Sequence, residues 1–276
     1  MEIFDQMLSR YEIKTQDDLL NAQHEVMQQI TLAGLYRGGF FNKAAFYGGT
    51  CLRIFYDIPR FSEDLDFSLL QSDQNFNLTS YFDIIKKEFL ACGKEVEITR
   101  KQKQRKTNVE SAFLKDNTEI VDLKFRTAAA IKIKLEVDIN PPLGFKTESK
   151  LLLQPFSFMC RCYTLPDLYA GKMHALIFRT WSNRVKGRDW YDFEWYVRNN
   201  IPLNFSHFCE RVIQFQSLKD IELTRSDFQR ILKDKIQSVN IEMVKNDVRP
   251  FVKNYGDLEI WSTDYFLRLA EMISFH

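Results

Sequence analysis

Phe46-Tyr47-Gly48-Gly49-Thr50-Cys51-Leu52-Arg53 and, after a short spacer, Arg60-Phe61-Ser62-Glu63-Asp64-Leu65-Asp66-Phe67-Ser68-Leu69 form the stretch around which the fold is organised. Two glycines let a backbone approach a ligand closely, and a hydroxyl residue at a helix start supplies a donor beside the exposed amides. That combination suits a phosphate. In the second segment the alternation puts Ser62, Asp64, Asp66 and Ser68 on one side of a strand, with Leu65, Phe67 and Leu69 on the other. Carboxylates crowded on one face repel one another unless a cation joins them. Taken singly, the first segment reads more readily as a plain turn and the second as a solvated edge or loop. The spacer, Cys51 through Arg60, holds about two helical turns and a loop, so a strand, a helix N-terminus and a carboxylate edge can converge. A triphosphate needs that convergence.

The chain has 276 residues, enough for one large or two modest domains with a full core. Lys and Arg number 38 against 37 Asp and Glu, so any nucleic-acid footprint has to be a local patch and not a global charge. The five Cys show no Cys-x-x-Cys pair and read as reduced core residues of a cytoplasmic protein. His24, His174, His207 and His276 lie too far apart for zinc-type spacing. No apolar run approaches the ~18 residues of a membrane span, and the N-terminus does not resemble a signal peptide. A membrane partner is not expected.

Upstream, Thr15-Gln16-Asp17-Asp18 predicts a capped amphipathic helix, or two in tandem, ending at Gly38-Gly39, and Phe40 to Tyr47 leads into the strand edge. Downstream, Thr79 to Cys92 predicts a helix stopped by Gly93. The period then switches to alternation, with strands over Glu95–Ile98, Val109–Leu114 and Ile120–Phe125 and a hairpin turn at Asp116-Asn117. The basic run Arg100 to Lys106 reads as a solvated loop, with phosphate-backbone contact as the alternative. Ile131 to Ile139 is the clearest strand: Ile131, Ile133, Leu135, Val137 and Ile139 share one face, and Lys132, Lys134, Glu136 and Asp138 the other. The preceding hairpin would lay it beside the Asp64/Asp66 strand, which makes Asp138 the candidate third carboxylate and Glu136 the alternative. Leu151 to Tyr163 predicts one further extended stretch at a sheet edge.

At Thr164-Leu165-Pro166-Asp167 the pattern becomes helical, and the domain boundary is placed here: residues 1–163 form an α/β domain, residues 164–276 a helical one. Lys172 is a cation on a mostly apolar helix, read either as a snorkelling lysine or as a partner for an acid. Asp189 and Asp192 fall one helical turn apart; the first suits a helix N-terminus, and the second asks for a partner, for which Lys172 is the candidate.

Gly48-Gly49-Thr50-x-Leu52-Arg53, Arg60-Phe61-Ser62-Glu63-Asp64-Leu65-Asp66-Phe67, Lys134 to Asn140, Leu168-x-x-x-Lys172-x-x-Ala175 and Arg188-Asp189-x-x-Asp192 resemble, in content and order, the AbiEii/AbiGii toxin-type nucleotidyltransferases. The resemblance implies an α+β fold: a small mixed sheet flanked by helices, with a C-terminal helical domain. It implies transfer of a nucleoside monophosphate from a nucleoside triphosphate, a place in a bacterial toxin–antitoxin or abortive-infection pair with a cognate antitoxin, and, from some relatives, an RNA acceptor such as the 3′ end of tRNA. On that reading Asp64, Asp66 and Asp138, or Glu136, hold Mg²⁺, with Mn²⁺ as the alternative ion. Gly48, Gly49, Thr50 and Arg53 bind the nucleotide, and Lys172, oriented by Asp192 with Asp189, neutralises phosphate charge. Two other readings stand beside it: an interaction protein that kept the fold and binds its antitoxin without turnover, and a two-metal nuclease.

Overall fold

The computed structural model describes residues 2–100, 118–125, 131–179, 185–216 and 222–276. In chain order it contains α1 (Ile3–Leu8), α2 (Gln16–Arg37), β1 (Ala44–Tyr47), α3 (Gly48–Tyr56), β2 (Leu65–Leu69), α4 (Phe82–Ala91), β3 (Val96–Arg100), β4 (Thr118–Phe125), β5 (Ile131–Asp138), β6 (Thr147–Leu152), β7 (Phe158–Tyr163), α5 (Leu165–Phe178), α6 (Gly187–Arg198), α7 (Phe205–Gln216), α8 (Arg225–Ser238), α9 (Ile241–Val248) and α10 (Thr263–Glu271). The expected strand at 109–114, the turn at Asp116-Asn117 and the basic run beyond Arg100 lie outside the described residues. Contacts divide the chain into two compact units, one of Met1–Cys51, Glu63–Pro141 and Thr147–Cys162, the other of Leu52–Ser62, Pro142–Lys146 and Tyr163–His276.

The first unit is built on a mixed sheet whose strands run in the order β3-β4-β5-β2-β1-β7-β6 among the described residues. β5 shows why: Ile133, Leu135 and Val137 are wholly buried and Ile131 nearly so, while Lys132 is exposed and Lys134, Glu136 and Asp138 are half-buried. Each fully buried aliphatic side chain contributes about 1.5–3 kcal/mol, enough to fix which face turns inward. β5 then pairs parallel with β2 and antiparallel with β4, and β2 pairs antiparallel with β1. Phe40, Phe46 and Phe67 meet beneath the sheet, Phe40–Phe67 at 4.9 Å and Phe46–Phe67 at 5.2 Å between ring centroids.

Several local expectations need correction. α2 is one helix, opened by the expected Thr15/Asp18 capping box, but it is not amphipathic: from Val26 to Leu35 nearly every residue is buried, because α4 packs on the helix and β5 lies against it. α4 begins at Phe82, after a 3₁₀ turn over Leu78–Tyr81 that Asn77 caps through Thr79 N. Ser62 and Asp64 precede β2 instead of lying in it. The extended stretch from Leu151 to Tyr163 is two strands, since β6 starts earlier, at Thr147, and Pro155 cannot donate to a ladder and interrupts the run before β7. The five cysteines, all described, remain thiols, and only Cys209 is not fully buried.

The second unit is helical. α6 packs against α5 and α9, and α5 against α7. Its core is aromatic: Trp190 meets Phe266 at 5.0 Å, Phe208 meets Phe228 at 4.9 Å, and Tyr169 stacks on Tyr196 at 4.3 Å. The acid at the third position of α5 does more than favour the helix start. Asp167 is 1% exposed and accepts from Thr164 Oγ1 at 2.5 Å, from Lys146 N at 3.1 Å and from Asn204 Nδ2 at 2.8 Å. No helix among the described residues is long and apolar enough to cross a membrane.

Candidate functional site

In the first unit β1 runs straight into α3, and the turn is made at Gly48, whose φ is +82°. A left-handed backbone favours glycine, and space here demands it: a Cβ at residue 48 would lie 2.3 Å from Asp66 Oδ2. The Asp66 carboxylate therefore lies against the first residue of α3. Gly48, Gly49 and Thr50 form the first turn of that helix, whose backbone amides lack intrahelical acceptors. Thr50 is wholly buried, and its Oγ1 donates to the Asp64 carbonyl, while Gln28 Nε2 donates to the Glu63 carbonyl at 3.0 Å. The segment entering β2 is thus tied to α3 and α2.

The ladder decides which acids share a face. β2 and β5 pair Asp66 with Glu136 and Ser68 with Asp138, so all three acids project to the side opposite the buried Leu65, Phe67, Leu135 and Val137. Glu136 stands directly beside Asp66. Asp138 lies one alternation further along, where its Oδ1 accepts from Asn140 N at 3.1 Å. Lys134 Nζ pairs with Glu136 Oε1. Among the described residues no three His, Cys, Asp or Glu side chains are gathered closely enough to hold an ion alone. Mg²⁺ commonly binds through one or two carboxylates plus substrate oxygens, and the hard oxygen donors of this face fit that mode.

In the second unit Lys172 and Asp192 meet as the helical spacing suggested. Lys172 Nζ bridges Asp189 Oδ1 at 2.7 Å and Asp192 Oδ2 at 2.8 Å. Arg60 completes the set: its Nε donates to Asp192 Oδ1 at 2.5 Å and its Nη2 to Asp192 Oδ2 at 2.7 Å, with both side chains essentially without solvent contact. Arg179 Nη1 lies 3.2 Å from Asp189 Oδ2. Burial alone would raise the Asp192 carboxyl, but Arg60 and Lys172 outweigh it and hold it below its ordinary range. Asp189 is lowered in the same way by Lys172 and Arg179. Lys186 feels the opposite imbalance: burial, with Arg179 and Lys172 nearby, brings its ammonium down to about 8 despite Asp189. Arg53 Nη1 donates to the Ile58 carbonyl at 3.2 Å, tying the last turn of α3 to the loop that follows.

The model of the nucleotidyl transferase AbiEii toxin family, a type IV toxin–antitoxin system, matches residues 30–268, most of the chain. The chain belongs to this family. Among solved structures, this AbiEii-family chain is similar to JHP933 from Helicobacter pylori, with 16% identity, a TM-score of 0.54, and 91% of this chain and 90% of that one covered. It is similar also to MenT4, the nucleotidyltransferase toxin Rv2826c from Mycobacterium tuberculosis H37Rv, with 15% identity, a TM-score of 0.57, and 97% and 93% covered. At these identities the likeness is one of fold. Among curated proteins, none matches the chain. What the sequence reading of this AbiEii toxin-family chain missed is the cationic side of the second cluster. Arg179 stands two helical turns after Lys172 and shares its face, whereas Lys186 and Arg60 carried no such signal.

Proposed function

We propose that this AbiEii-family chain is a metal-dependent nucleotidyltransferase, moving a nucleoside monophosphate from a nucleoside triphosphate to an acceptor hydroxyl, and that it serves as the toxin of a pair with a cognate antitoxin. The observation that carries the reading is the β2/β5 register, which sets Glu136 beside Asp66 on the face where Asp66 also meets the first residue of α3. Asp64 and Asp66, with Glu136 in preference to Asp138 as the third acid, would hold Mg²⁺ or Mn²⁺. An ion bound there lowers the pKa of the attacking hydroxyl and offsets charge on the triphosphate.

The chain's own groups do the rest. The amides of Gly48, Gly49 and Thr50 hold phosphate oxygens at the start of α3. The acceptor oxygen bonds to the α-phosphorus, the bond from that phosphorus to the β-phosphate oxygen breaks, pyrophosphate leaves, and the hydroxyl proton passes to solvent. Lys172 has two of its three N–H groups committed to Asp189 and Asp192, which fix its direction; the third is assigned to a substrate oxygen. The acceptor is assigned as RNA, with the 3′ end of tRNA the first to test.

The test incubates the protein with each α-labelled nucleoside triphosphate, total cellular RNA and Mg²⁺, then locates the label. Label on RNA, lost with Asp66→Asn at equal folding, is the expected result. A variant that transfers label as well as the parent does would sink the assignment, and a parent that captures antitoxin yet never transfers label would favour the interaction protein.

A further inference from the structure

Helix α6 carries Asp189 and Asp192 toward the ion-pair cluster, and a second stripe of the same helix lines something else. Tyr191, Glu194, Trp195 and Arg198, at helical spacing, form with Pro59 and Asn199 an open cavity of about 300 Å³. Trp190, Phe193, Tyr196 and Val197 are closed into the core, whereas Trp195 is only half-buried. Glu194 is the fixed point of the wall. It is 6% exposed, and its carboxylate accepts from Trp261 Nε1 at 2.8 Å and from Tyr265 Oη at 2.6 Å. A carboxylate has about four acceptor positions, so the buried Trp261 and the half-buried Tyr265 hold it in place without exhausting it. Arg198 is the opposite case: its side chain is 67% exposed and reaches Glu194 Oε1 only at 3.8 Å, leaving the guanidinium at the cavity mouth.

We propose that this cavity recognises a nucleotide, with the base stacked on Trp195, base N–H groups on Glu194 and the attached phosphate on Arg198. Every base offers a π face, and adenine, guanine and cytosine carry amino donors for a preset carboxylate. Arginine matches phosphate by charge and by its fork of donors. Other occupants use only part of the wall: a sugar would stack but bring no anion to Arg198, and a basic side chain would meet Glu194 but be repelled by Arg198. The volume lies at the small end of ligand pockets, in keeping with one nucleotide unit. The ligand is either a free nucleotide or one residue of a single-stranded RNA. None of the six lining residues is a carboxylate of β2 or β5, so the assignment stands or falls separately from the transfer reaction.

The experiment is equilibrium binding by the full chain in EDTA, which keeps any metal-dependent site silent. The probes are a short fluorescein-labelled single-stranded RNA, followed by polarisation, and AMP and GMP, followed by calorimetry. Trp195→Ala should weaken binding roughly five- to hundredfold, the range expected for loss of one base–aromatic stack. Trp195→Phe should retain most of the affinity, and Arg198→Glu should weaken binding and flatten its salt dependence. Both side chains reach solvent, and unchanged thermal unfolding of the variants confirms folding. Binding of AMP or GMP with this variant pattern identifies the free nucleotide as the source; the same pattern with RNA alone identifies a residue of the strand. Absence of binding by the parent to every probe, or equal affinity of parent and Trp195→Ala, overturns the proposal.

Discussion

Glu136 and Asp66 are lateral neighbours in a parallel ladder, Cα facing Cα, while Asp138 faces Ser68. Neighbouring strands lie about 4.8 Å apart and successive same-face residues about 6.6 Å, so Glu136 would have the shorter reach to an ion if Asp66 holds one. Glu136→Gln should therefore reduce nucleotide transfer by at least about tenfold and raise the Mg²⁺ concentration needed for half-maximal rate. Asp138→Asn should do less. Steady-state transfer across an Mg²⁺ titration makes the comparison, and a larger loss from Asp138→Asn would return the third-acid role to that residue.

The Arg60–Asp192 pair is buried on both sides. Removing one partner of such a pair leaves an uncompensated charge, so Arg60→Ala should cost about 3–5 kcal/mol in denaturant unfolding. Arg60→Lys should recover only part of this, because a lysine cannot make both parallel bonds. A midpoint unchanged by Arg60→Ala would contradict the geometry.

Gly48→Ala should be doubly penalised. The left-handed backbone alone costs about 1–2 kcal/mol, and the new methyl would displace the Asp66 carboxylate. Gly144 provides the control, since it has φ +94° and no heavy atom within 4 Å of an added Cβ. Gly144→Ala should show the backbone penalty in thermal unfolding and leave transfer intact, whereas Gly48→Ala should abolish it.

Acid should loosen the helical unit early. Burial pushes His174 and His207 down to about 3, with Arg211 beside both and its Nε donating to His207 Nε2 at 3.1 Å. Because the folded pKa values lie below the unfolded value of about 6.5, the unfolded chain binds more protons between the two. The stability from these residues is complete above about pH 6.5 and falls as pH drops toward 3, by on the order of several kcal/mol for the pair. Asp189 and Asp192, lowered below 3.8, lose their contribution only at more acidic pH. Urea unfolding at stepwise pH should show the early slope, and His174→Phe with His207→Gln should flatten it.

How legible these features were in the sequence follows from how local each cause is. The alternation of β5, the Thr15/Asp18 cap and the one-turn spacing of Asp189 and Asp192 are set by neighbours in the chain, and all could be read directly. Family motifs singled out Asp64, Asp66 and Lys172, and the structure sets Asp66 against Gly48 and joins Lys172 to Asp189 and Asp192. The choice between Glu136 and Asp138 could not be read, because both lie on the same face and only the interstrand register separates them. Arg60 was hidden for a related reason: its partner lies far along the chain at Asp192, and a loop arginine resembles any solvated one until that partner is known. α2 appeared amphipathic because its polar residues, among them Gln28 and Thr31, find acceptors inside the protein, Gln28 at the Glu63 carbonyl and Thr31 at Met27 O.

Asp167 carries a practical consequence. Its carboxylate binds the Lys146 amide, and Phe145 stacks on Tyr163 at 4.2 Å, so a short piece of chain preceding β6 completes the packing of a helix that starts well after it. A polypeptide cut to begin at Tyr163 would present an acid deprived of one donor and a bare tyrosine ring, and should be recovered as aggregate. Adding residues 142–146 in trans as a peptide should improve its solubility.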